Sequence, residues 1–522
     1  MYKLILLSVL LCVAAGEAYK ILVVFPMPGK SHSFLGAGIA RHLVEAGHEV
    51  TLVTPFPNPK NNNPLLREID VSSMQSWKRD LDHMLNLEKQ IKKEVPLSSV
   101  LTLITMFFDA STRLFKDENF KKLLSDPNEN FDVVIAEWNL NELAIGLAPV
   151  FNAPFIWEST VDPQWMLLQL IDEIPNPAYF ASGTSNATPP FTFLQRALEL
   201  FKVVMARLYQ YFILSKKEHE AYQKLIVPFI EKRGHRVPDF EEIRYNASLM
   251  LGNSHVSMGA AVRLPQNHKA VGGFHIDTDV KPLPADLQKL LDNSKNGLIY
   301  FSMGSNLPSK LMPEAVKTSL VKMFGKLKQN VLWKFEEDLP NRPKNLHIVQ
   351  WAPQQSILAH PNCVLFITHG GLLSSTETIY FGKPIIGIPV FGDQFANVDR
   401  AVSRGFAKRV DLTMEMADDL LKAINDILTD PRYATKVKEL SRIYHDRPIP
   451  PGKELVHWVE HVVRTGGALH LRSPALLVPW YQKLYLDLMF VIVVSVYCLY
   501  LLFKKLGSII ISKIQLKKKK TQ

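Results

Sequence analysis

The feature that most constrains the fold is an alternation of apolar runs and amphipathic stretches, which occurs twice along the chain. From Tyr19 the chain reads YKILVVFP, then a short loop, then the amphipathic FLGAGIARHLVEAG and a second apolar run, HEVTLVTP. These runs predict buried strands at the spacing of a right-handed strand–helix–strand unit. The alternation restarts at Gly297 with GLIYFSMGS. Two such series predict an α/β protein with two doubly wound domains.

A change of composition marks the boundary between the two series. Residues 264–285 are rich in Pro and Gly, which is typical of a linker. We therefore place a first domain at 19–270, a linker at 271–285, a second domain at 286–450 and a helical segment at 451–483. Such domains face one another across a cleft, and their ligands bind at the carboxyl ends of the strands.

Two long stretches of the first domain are predicted to be helical. Pro64–Asn130 reads as mostly helical, and Phe191–Lys232 is a long helical region rich in aromatic residues. The wide apolar surface of the second stretch has three interpretations. It lines a pocket for a lipophilic ligand, it rests on a membrane, or it closes the core of its own domain.

Both ends of the chain have features of a membrane protein. Residues 1–18 combine an apolar core with small residues near its end, the layout of a cleavable signal peptide. Residues 484–505 contain the uncharged run Leu488–Phe503, which follows a group of aromatic residues and precedes two lysines. This pattern predicts a transmembrane helix. Residues 506–522 then form a basic tail.

The tail explains most of the formal net charge of +10, so no nucleic-acid partner is expected. By the positive-inside tendency, the tail is cytosolic and the body lies in the lumen. Sequons at Asn186 and Asn246 agree with a glycosylated lumenal body. Lys519 and Lys520 occupy the positions of a dilysine retrieval signal, which predicts a single-pass protein of the endoplasmic reticulum membrane.

The stretch Phe366–Gln394, FITHGGLLSSTETIYFGKPIIGIPVFGDQ, carries the strongest chemical pattern. A strand ends at Thr368, and two glycines, the second being Gly371, then let a ligand approach the backbone. A helix starts near Leu373 and ends at Gly382. Its first amides and positive dipole end therefore face any anion bound there.

This stretch resembles the signature of the UDP-glycosyltransferase family, the UDP-glucuronosyl and UDP-glucosyl transferases. The secretory start, the linker and the membrane tail fit an animal membrane-bound member, and the first domain resembles insect members. The resemblance implies a GT-B type fold and a UDP-sugar as co-substrate. It implies neither a metal nor a further cofactor, and no zinc-binding motif is present.

The resemblance also implies roles for residues around the nucleoside. Trp351 stacks on uracil, which base-stacking energies place at roughly 1–3 kcal/mol, and Ala352 pairs with the base through its backbone. Gln354 and Glu377 bind the ribose hydroxyls.

The diphosphate and the sugar are assigned in the same way. The helix start at Gly371 binds the diphosphate together with Ser305, His369 and Ser374. Asp393 and Gln394 hydrogen-bond to the sugar hydroxyls.

One residue of the signature departs from the family pattern. Leu373 stands where many relatives have Asn. One hydrogen bond to phosphate or sugar is therefore in question, while the rest of the site matches.

Transfer of a sugar to a hydroxyl needs a base, and His32 follows the first strand at the edge of the cleft. Imidazole has an ordinary pKa near 6.5 and suits this work. The family positions its base with an Asp after the strand that here reads FDVVIAE. An alignment on that strand places Glu137 there, and an alignment on the next helix places Glu142 there. The cost of an unpaired charge after a buried strand favours Glu137, whereas the helix dipole alone would explain Glu142.

Two functions are therefore weighed. The first is an inverting UDP-glycosyltransferase that moves a hexose, glucose being favoured, to a small lipophilic alcohol or phenol, with detoxification as one possible role. The second is a membrane-tethered protein that keeps the UDP-sugar site but binds a lipophile without turnover. The oligomeric state is not readable from the sequence.

Overall fold

The computed structural model describes most of the chain between Ala18 and Thr521. The described residues are 18–84, 88, 91, 100–182, 185, 187, 189–257, 262–305 and 307–521. The predicted signal peptide, apart from Ala18, and the sequon at Asn186 lie outside them.

Seven of the described strands form a first parallel sheet in the order β3-β2-β1-β4-β5-β6-β7. The strands are β1 (Lys20–Val24), β2 (Glu49–Thr54), β3 (Leu66–Asp70), β4 (Val133–Glu137), β5 (Phe155–Ser159), β6 (Leu249–Gly252) and β7 (His268–Ala270). The strand order reverses between β1 and β4, where a doubly wound sheet opens a crevice at its carboxyl edge.

One strand lies where the sequence reads as helical. The segment LREID forms β3 at the edge of the sheet, paired in parallel with β2. Its polar residues lack the continuous apolar run of a central strand, so Pro64–Asn130 was not correctly predicted over this segment.

Six further strands form a second parallel sheet with the order β10-β9-β8-β11-β12-β13. They are β8 (Leu298–Ser302), β9 (Asn330–Lys334), β10 (Leu346–Val349), β11 (Cys363–Thr368), β12 (Ile385–Gly387) and β13 (Ala407–Arg409). The order reverses again between β8 and β11. Residues 271–284 connect the end of β7 to the first helix of the second domain.

Helices cover the two sheets. Those preceding the second sheet are α1 (Lys30–Glu45), α2 (Gln75–Met84), α3 (Val100–Leu114), α4 (Glu118–Ser125), α5 (Leu147–Phe151), α6 (Trp165–Leu168), α7 (Phe193–Tyr209), α8 (Ser215–Leu225), α9 (Val227–Lys232) and α10 (Phe240–Arg244). Those that follow are α11 (Ala285–Asn293), α12 (Glu314–Phe324), α13 (Gln354–Ala359), α14 (Leu372–Phe381), α15 (Gln394–Ser403), α16 (Met416–Thr429), α17 (Pro431–His445) and α18 (Pro451–Arg464). Short 3-10 turns cover Ser72–Met74, Leu143–Gly146, Ser309–Leu311 and Leu469–Leu471, and a π-helical turn covers Gln210–Leu214.

The core of the first domain is completed by the end of the body. Helix α1 buries Leu35, Ile39 and Leu43, spaced by four residues so that they share one face. Helix α18 adds Leu455 and Val459 to the same apolar cluster. The helical segment after residue 450 therefore packs on the first sheet, although it follows the second in sequence.

Helix α7 leaves most of its apolar residues on the surface. Its buried residues are Glu199 and Val203, and most of its large apolar side chains are exposed. The helix therefore does not use this apolar surface to close the core of its domain.

Residues Ser473–Gln522 form a separate compact unit. It contains a 3-10 turn at Pro474–Leu477, helix α19 (Trp480–Lys483) and helix α20 (Leu486–Lys520). The stretch Leu486–Lys519 is long and apolar enough to cross a membrane, by length and composition. The predicted basic tail begins inside this helix.

Candidate active site

A cavity of about 680 Å³ lies between the carboxyl edges of the two sheets. Its walls come from the segments after β1, β4 and β5 and from those after β8, β10, β11 and β12, with Lys334 at the end of β9. His32 lines this cavity, as does every residue assigned to the UDP-sugar: Ser305, Trp351, Ala352, Gln354, His369, Gly371, Ser374, Glu377, Asp393 and Gln394. The cleft thus brings together side chains that are more than 350 positions apart in the sequence, by the numbering of His32 and Asp393.

The loop before α14 holds an imidazole between two glycines. A Cβ atom at Gly304 would lie 2.5 Å from His369 Cε1, and one at Gly371 would lie 2.6 Å from His369 Nε2. Gly304 also has a φ of +78°, which a side chain would strain. Burial and the charge of Lys334 lower the pKa of His369 to about 4. The imidazole is therefore neutral, and it can donate a hydrogen bond to an anion without adding a charge.

The nucleoside end of the cavity contains a hydrogen-bonded cluster at the start of α13. Gln354 Nε2 donates to Ser374 Oγ at 3.1 Å and to Glu377 Oε2 at 2.5 Å, and Gln355 Nε2 donates to Glu377 Oε1 at 3.0 Å. Burial raises the pKa of Glu377 to about 7, although both amides favour its ionised form. The structure thus places Gln354 and Glu377, both assigned to the ribose, in direct contact.

Trp351 in the cavity wall is exposed, with 49% of its surface accessible. Lys30 Nζ lies 4.0 Å from the centroid of its ring, and the ring of Phe34 lies 6.2 Å from it. Both residues belong to the first domain. An ion pair between Arg400 and Asp162 also joins the two domains.

The sugar-binding acid predicted after β12 is held by α15. Asn397 Nδ2 donates to Asp393 Oδ2 at 2.8 Å, and burial raises the pKa of Asp393. The neighbouring Gln394 accepts hydrogen bonds from the amides of Val390 at 2.9 Å and Phe391 at 3.2 Å. These bonds fix the turn that presents Asp393 to the cavity.

His32 lies in the first turn of α1 and reaches the cavity from the other side. Its Nδ1 contacts Glu137 Oε1, and the Glu137 side chain is fully buried behind it. Burial alone would lower the pKa of His32, but the charge and hydrogen bond of Glu137, aided by Asp393, raise it overall. With Nδ1 engaged by Glu137, Nε2 is the nitrogen available to a substrate hydroxyl.

Glu142 lies elsewhere. It is buried, and its Oε2 accepts from Arg244 Nη1 at 2.5 Å. The same Nη1 contacts Glu218 Oε2 at 2.7 Å, and Glu218 Oε1 accepts the Glu142 amide at 2.7 Å. The structure therefore brings Glu137, and not Glu142, into contact with His32.

The sequence interpretation overlooked two residues near the reacting groups. Lys334, the last residue of β9, lines the cavity and donates to the Gly304 carbonyl at 3.0 Å. Glu158 on β5 pairs in register with Glu137 on β4, and neither of its carboxyl oxygens has a hydrogen-bond partner among the described residues. Burial and the charge of Glu137 raise the pKa of Glu158 well above its ordinary value. In the sequence, each of these residues is recognisable only as a charged residue at the end of an apolar run, in NVLWK or FIWES.

The first-domain wall of the cavity is largely apolar, and includes Phe34, Phe107, Trp138 and Leu140. Leu140 has a φ of +54°, a left-handed conformation that is uncommon for a non-glycine residue. Leu373, the departure from the family pattern, also lines the cavity and packs against the apolar cluster around β1 and α1. Among the residues that the structure describes, no group of three or more His, Cys, Asp and Glu side chains could hold a metal ion.

The fold defines the class of protein. The glycosyltransferase of kitacinnamycin superposes with a TM-score of 0.55 at 17% identity, over 86% of this chain and 99% of that one. The calicheamicin glycosyltransferase CalG4 superposes with a TM-score of 0.54 at 15% identity, over 86% of this chain and 100% of that one. The two parallel Rossmann-type sheets and the cleft between them are the GT-B fold of glycosyltransferases.

Sequence comparison then identifies the family. A family model described as "UDP-glucoronosyl and UDP-glucosyl transferase" matches residues 20–521. The chain is 33% identical to UDP-glycosyltransferase UGT5 of Dactylopius coccus over 94% of this chain and 92% of that one. It is 29% identical to human UDP-glucuronosyltransferase 2B7 over 94% of this chain and 93% of that one. The protein therefore belongs to the UDP-glucuronosyl and UDP-glucosyl transferase family, which consists of sugar-transferring enzymes.

Proposed function

We propose that the protein is an inverting transferase that moves a hexose from a UDP-sugar to a hydroxyl of a small lipophilic alcohol or phenol. The acceptor oxygen attacks the anomeric carbon while His32 Nε2 takes its proton, and the bond to UDP breaks on the opposite side. An α-linked donor thus becomes a β-glycoside. Glu137 orients His32 and stabilises the imidazolium that forms.

The observation that carries the proposal is the contact of His32 Nδ1 with a fully buried Glu137 carboxylate at the edge of the cleft. A carboxylate in this position favours the charged imidazole, which is the product of proton abstraction. His32 and Asp393, the proposed base and sugar ligand, line one cavity from opposite domains.

The roles proposed for the donor site are those implied by the family signature. Trp351 and Ala352 bind uracil, and Gln354 and Glu377 bind the ribose. The leaving diphosphate is stabilised by the amides at the start of α14 and by Ser305, Ser374 and neutral His369. Lys334 adds a positive charge at the same wall. Asp393 and Gln394 bind the sugar hydroxyls.

Two features support the choice of substrates. The apolar first-domain wall suits a lipophilic acceptor. Glucose is the favoured sugar because UDP-glucosyltransferase 2 of Dactylopius coccus is 32% identical over 94% of this chain.

The test uses the full-length protein in microsomes, with UDP-glucose or UDP-glucuronic acid and a panel of phenols. The intact protein should form a β-glycoside, and His32→Ala should lose turnover by about 10²–10⁴-fold with unchanged affinity for UDP. His219→Ala, a histidine on α8 outside the cavity wall, is the matched control and should retain turnover. Unchanged turnover in His32→Ala would refute the mechanism. UDP binding without any glycoside from the intact protein would favour the non-catalytic binding protein instead.

We also propose that the enzyme is a glycoprotein of the endoplasmic reticulum membrane, with its body in the lumen and its tail in the cytosol. Asn246 is exposed, as a glycan acceptor must be, and α20 fits a single-pass anchor. Replacing Lys519 and Lys520 by serine should release the protein to later compartments, as glycan maturation would report. Unchanged retention would exclude the dilysine signal.

A further inference from the structure

The segment that connects the two domains contributes a histidine to the cavity. Residues 271–284 lead from β7 to α11, and His275 within this connection lines the cavity close to Glu377. The His275 side chain is 2% exposed, and neither of its ring nitrogens has a hydrogen-bond partner among the residues that the structure describes. Most buried polar side chains are hydrogen-bonded, so an unpartnered imidazole in a cavity wall needs an explanation.

The backbone around His275 is held by both domains. In the first domain, Arg41 Nη2 and His42 Nε2 of α1 donate to the Phe274 carbonyl at 3.1 and 2.9 Å. In the second domain, Gln355 Nε2 donates to the His275 carbonyl at 3.4 Å. These contacts fix the His275 backbone beside the start of α13, at the nucleoside end of the cavity.

The imidazole of His275 and the carboxyl group of Glu377 are close but do not contact each other. His275 Nε2 lies 3.8 Å from Glu377 Oε1, which is too far for a hydrogen bond. The two groups do not form an ion pair, because burial and the charge of Arg41 lower the pKa of His275 to about 3. An oxygen atom about 2.8 Å from both atoms could bridge them, if it accepted from Nε2 and donated to Oε1. A hydroxyl group can do both.

The residues around this position identify the hydroxyl group that suits it. Glu377 also accepts from the side chains of Gln354 and Gln355, and Gln354 and Glu377 are the residues assigned to the ribose. A ribose hydroxyl can accept one hydrogen bond while it donates another. We propose that His275 Nε2 donates a hydrogen bond to a ribose hydroxyl of the UDP-sugar, and that this hydroxyl donates to Glu377 Oε1. The inference rests on the proposed function, in which Glu377 binds the ribose.

This contact extends the donor site beyond the second domain. The residues assigned to the UDP-sugar lie between Ser305 and Gln394, in the second domain, whereas His275 belongs to the connection between the domains. The connection is also bonded to α1, whose first turn carries His32. The ribose therefore binds against the segment that joins the donor site to the helix of the base. A nucleotide without the bridging hydroxyl loses both hydrogen bonds.

The test measures the binding of UDP, 2′-deoxy-UDP and 3′-deoxy-UDP to the full-length, detergent-solubilised protein by calorimetry. His275→Asn removes the hydrogen-bonding group at the Nε2 position, and His275→Phe removes both nitrogens but keeps a ring. His275→Gln restores an amide near the Nε2 position. His268→Asn is the matched control, because His268 is also buried with both ring nitrogens unpartnered among the described residues but lies on β7, outside the cavity wall.

The ratio of the Kd of a deoxynucleotide to the Kd of UDP measures how strongly the protein selects for the missing hydroxyl. In His275→Asn and His275→Phe, this ratio should fall about 3–10-fold for one of the two deoxynucleotides, as expected for one neutral hydrogen bond. The fall should come from weaker binding of UDP, with the affinity for that deoxynucleotide unchanged. His275→Gln and His268→Asn should keep the ratios of the unchanged protein.

An equal loss of affinity for all three nucleotides in His275→Asn and His275→Phe would overturn the inference, because it would make His275 a structural residue. Unchanged affinities in both variants would overturn it as well. Either result would leave the proposed function standing, since the unchanged protein would still bind UDP. A failure of the unchanged protein to bind UDP would instead contradict the donor site, and with it the proposed function.

Discussion

Two groups of buried carboxyl groups lie near the carboxyl edge of the first sheet, and they are built in opposite ways. In the ion triad, Glu142 and Glu218 both contact Arg244, which is itself buried. In the base group, Glu137 contacts His32, while Glu158 and the second oxygen of Glu137 have no hydrogen-bond partner in the part of the chain that the structure describes.

The partner that compensates a buried carboxylate distinguishes a structural charge from a functional one. Burying a carboxylate is costly unless an opposite charge and hydrogen bonds compensate it. The triad is compensated by a permanent cation, and its residues are absent from the cavity wall. The base group is compensated by an imidazole that can release its proton and that opens onto the cavity. A titratable partner at a cleft is what acid–base chemistry requires, and a closed ion triad is not.

The largest expected effect is on turnover, through Glu137→Gln. The amide keeps the shape of the side chain but removes the charge that raises the pKa of His32, leaving burial, which lowers it. We expect turnover to fall by about 10²–10⁴-fold at every pH. The acid limb of kcat/KM, where His32 gains its proton, should move to lower pH. A pH profile with a phenol that the unchanged enzyme glycosylates measures both effects, and UDP affinity should be unchanged. An unmoved acid limb would remove Glu137 from the base group.

The next effect is on stability, through Arg244→Met. The variant removes the cation from the buried Glu142–Glu218 pair, in which burial and the charge of Glu142 already raise the pKa of Glu218. The loss should cost about 3–5 kcal/mol in the free energy of unfolding. Denaturant unfolding of the detergent-solubilised protein measures the loss. The triple variant Arg244→Met, Glu142→Leu and Glu218→Met removes the buried charges together and should regain most of the stability. If the triple variant is no more stable than Arg244→Met, the triad is not the source of the loss.

Glu142→Gln tests directly whether Glu142 belongs to the ion triad or to the base group. It removes one charge from the triad while keeping most of the side-chain shape, which should cost about 1–3 kcal/mol of stability. Turnover per folded molecule and the acid limb of the pH profile should stay as in the unchanged enzyme. A shift of the acid limb in Glu142→Gln, with none in Glu137→Gln, would exchange the roles assigned to the two acids.

The sequence predicted the donor half of the site better than the base group. The residues assigned between Trp351 and Gln394 lie close together in the sequence, in the signature and the stretch just before it. All of them line the cavity. Glu137 and Glu142 could not be separated in this way. Both are equally buried, at 2% exposure, so the burial cost used to choose between them applies to each.

What separates the two acids is their partners, which are distant in sequence. Arg244 is 102 positions from Glu142, and His32 is 105 positions from Glu137. Only the packing of α1, α8 and α10 against the sheet brings them together. Glu158 was overlooked for the same reason, because its position beside Glu137 depends on the register of β5 with β4. Strand β3 was missed for a local reason, since an edge strand does not need an apolar run.

The smallest expected effect concerns Glu158, the member of the base group whose carboxyl has no hydrogen-bond partner among the residues described. Its pKa is raised from 4.5 by burial and by Glu137, so the folded protein holds a proton there that the unfolded chain releases. Stability from this proton is fully present below pH 4.5 and is lost as pH rises toward the raised pKa, by at most about 1.4 kcal/mol per pH unit.

The substitution Glu158→Gln removes this pH dependence. The difference in unfolding midpoint between the variant and the unchanged protein should therefore grow in favour of the variant from pH 5 to pH 8. The acid limb of turnover should stay in place, because a neutral carboxyl does not act on the charge of His32. A difference in midpoint that stays constant with pH would mean that Glu158 is ionised in the folded protein. The base group would then hold two negative charges, on Glu137 and Glu158, and not one.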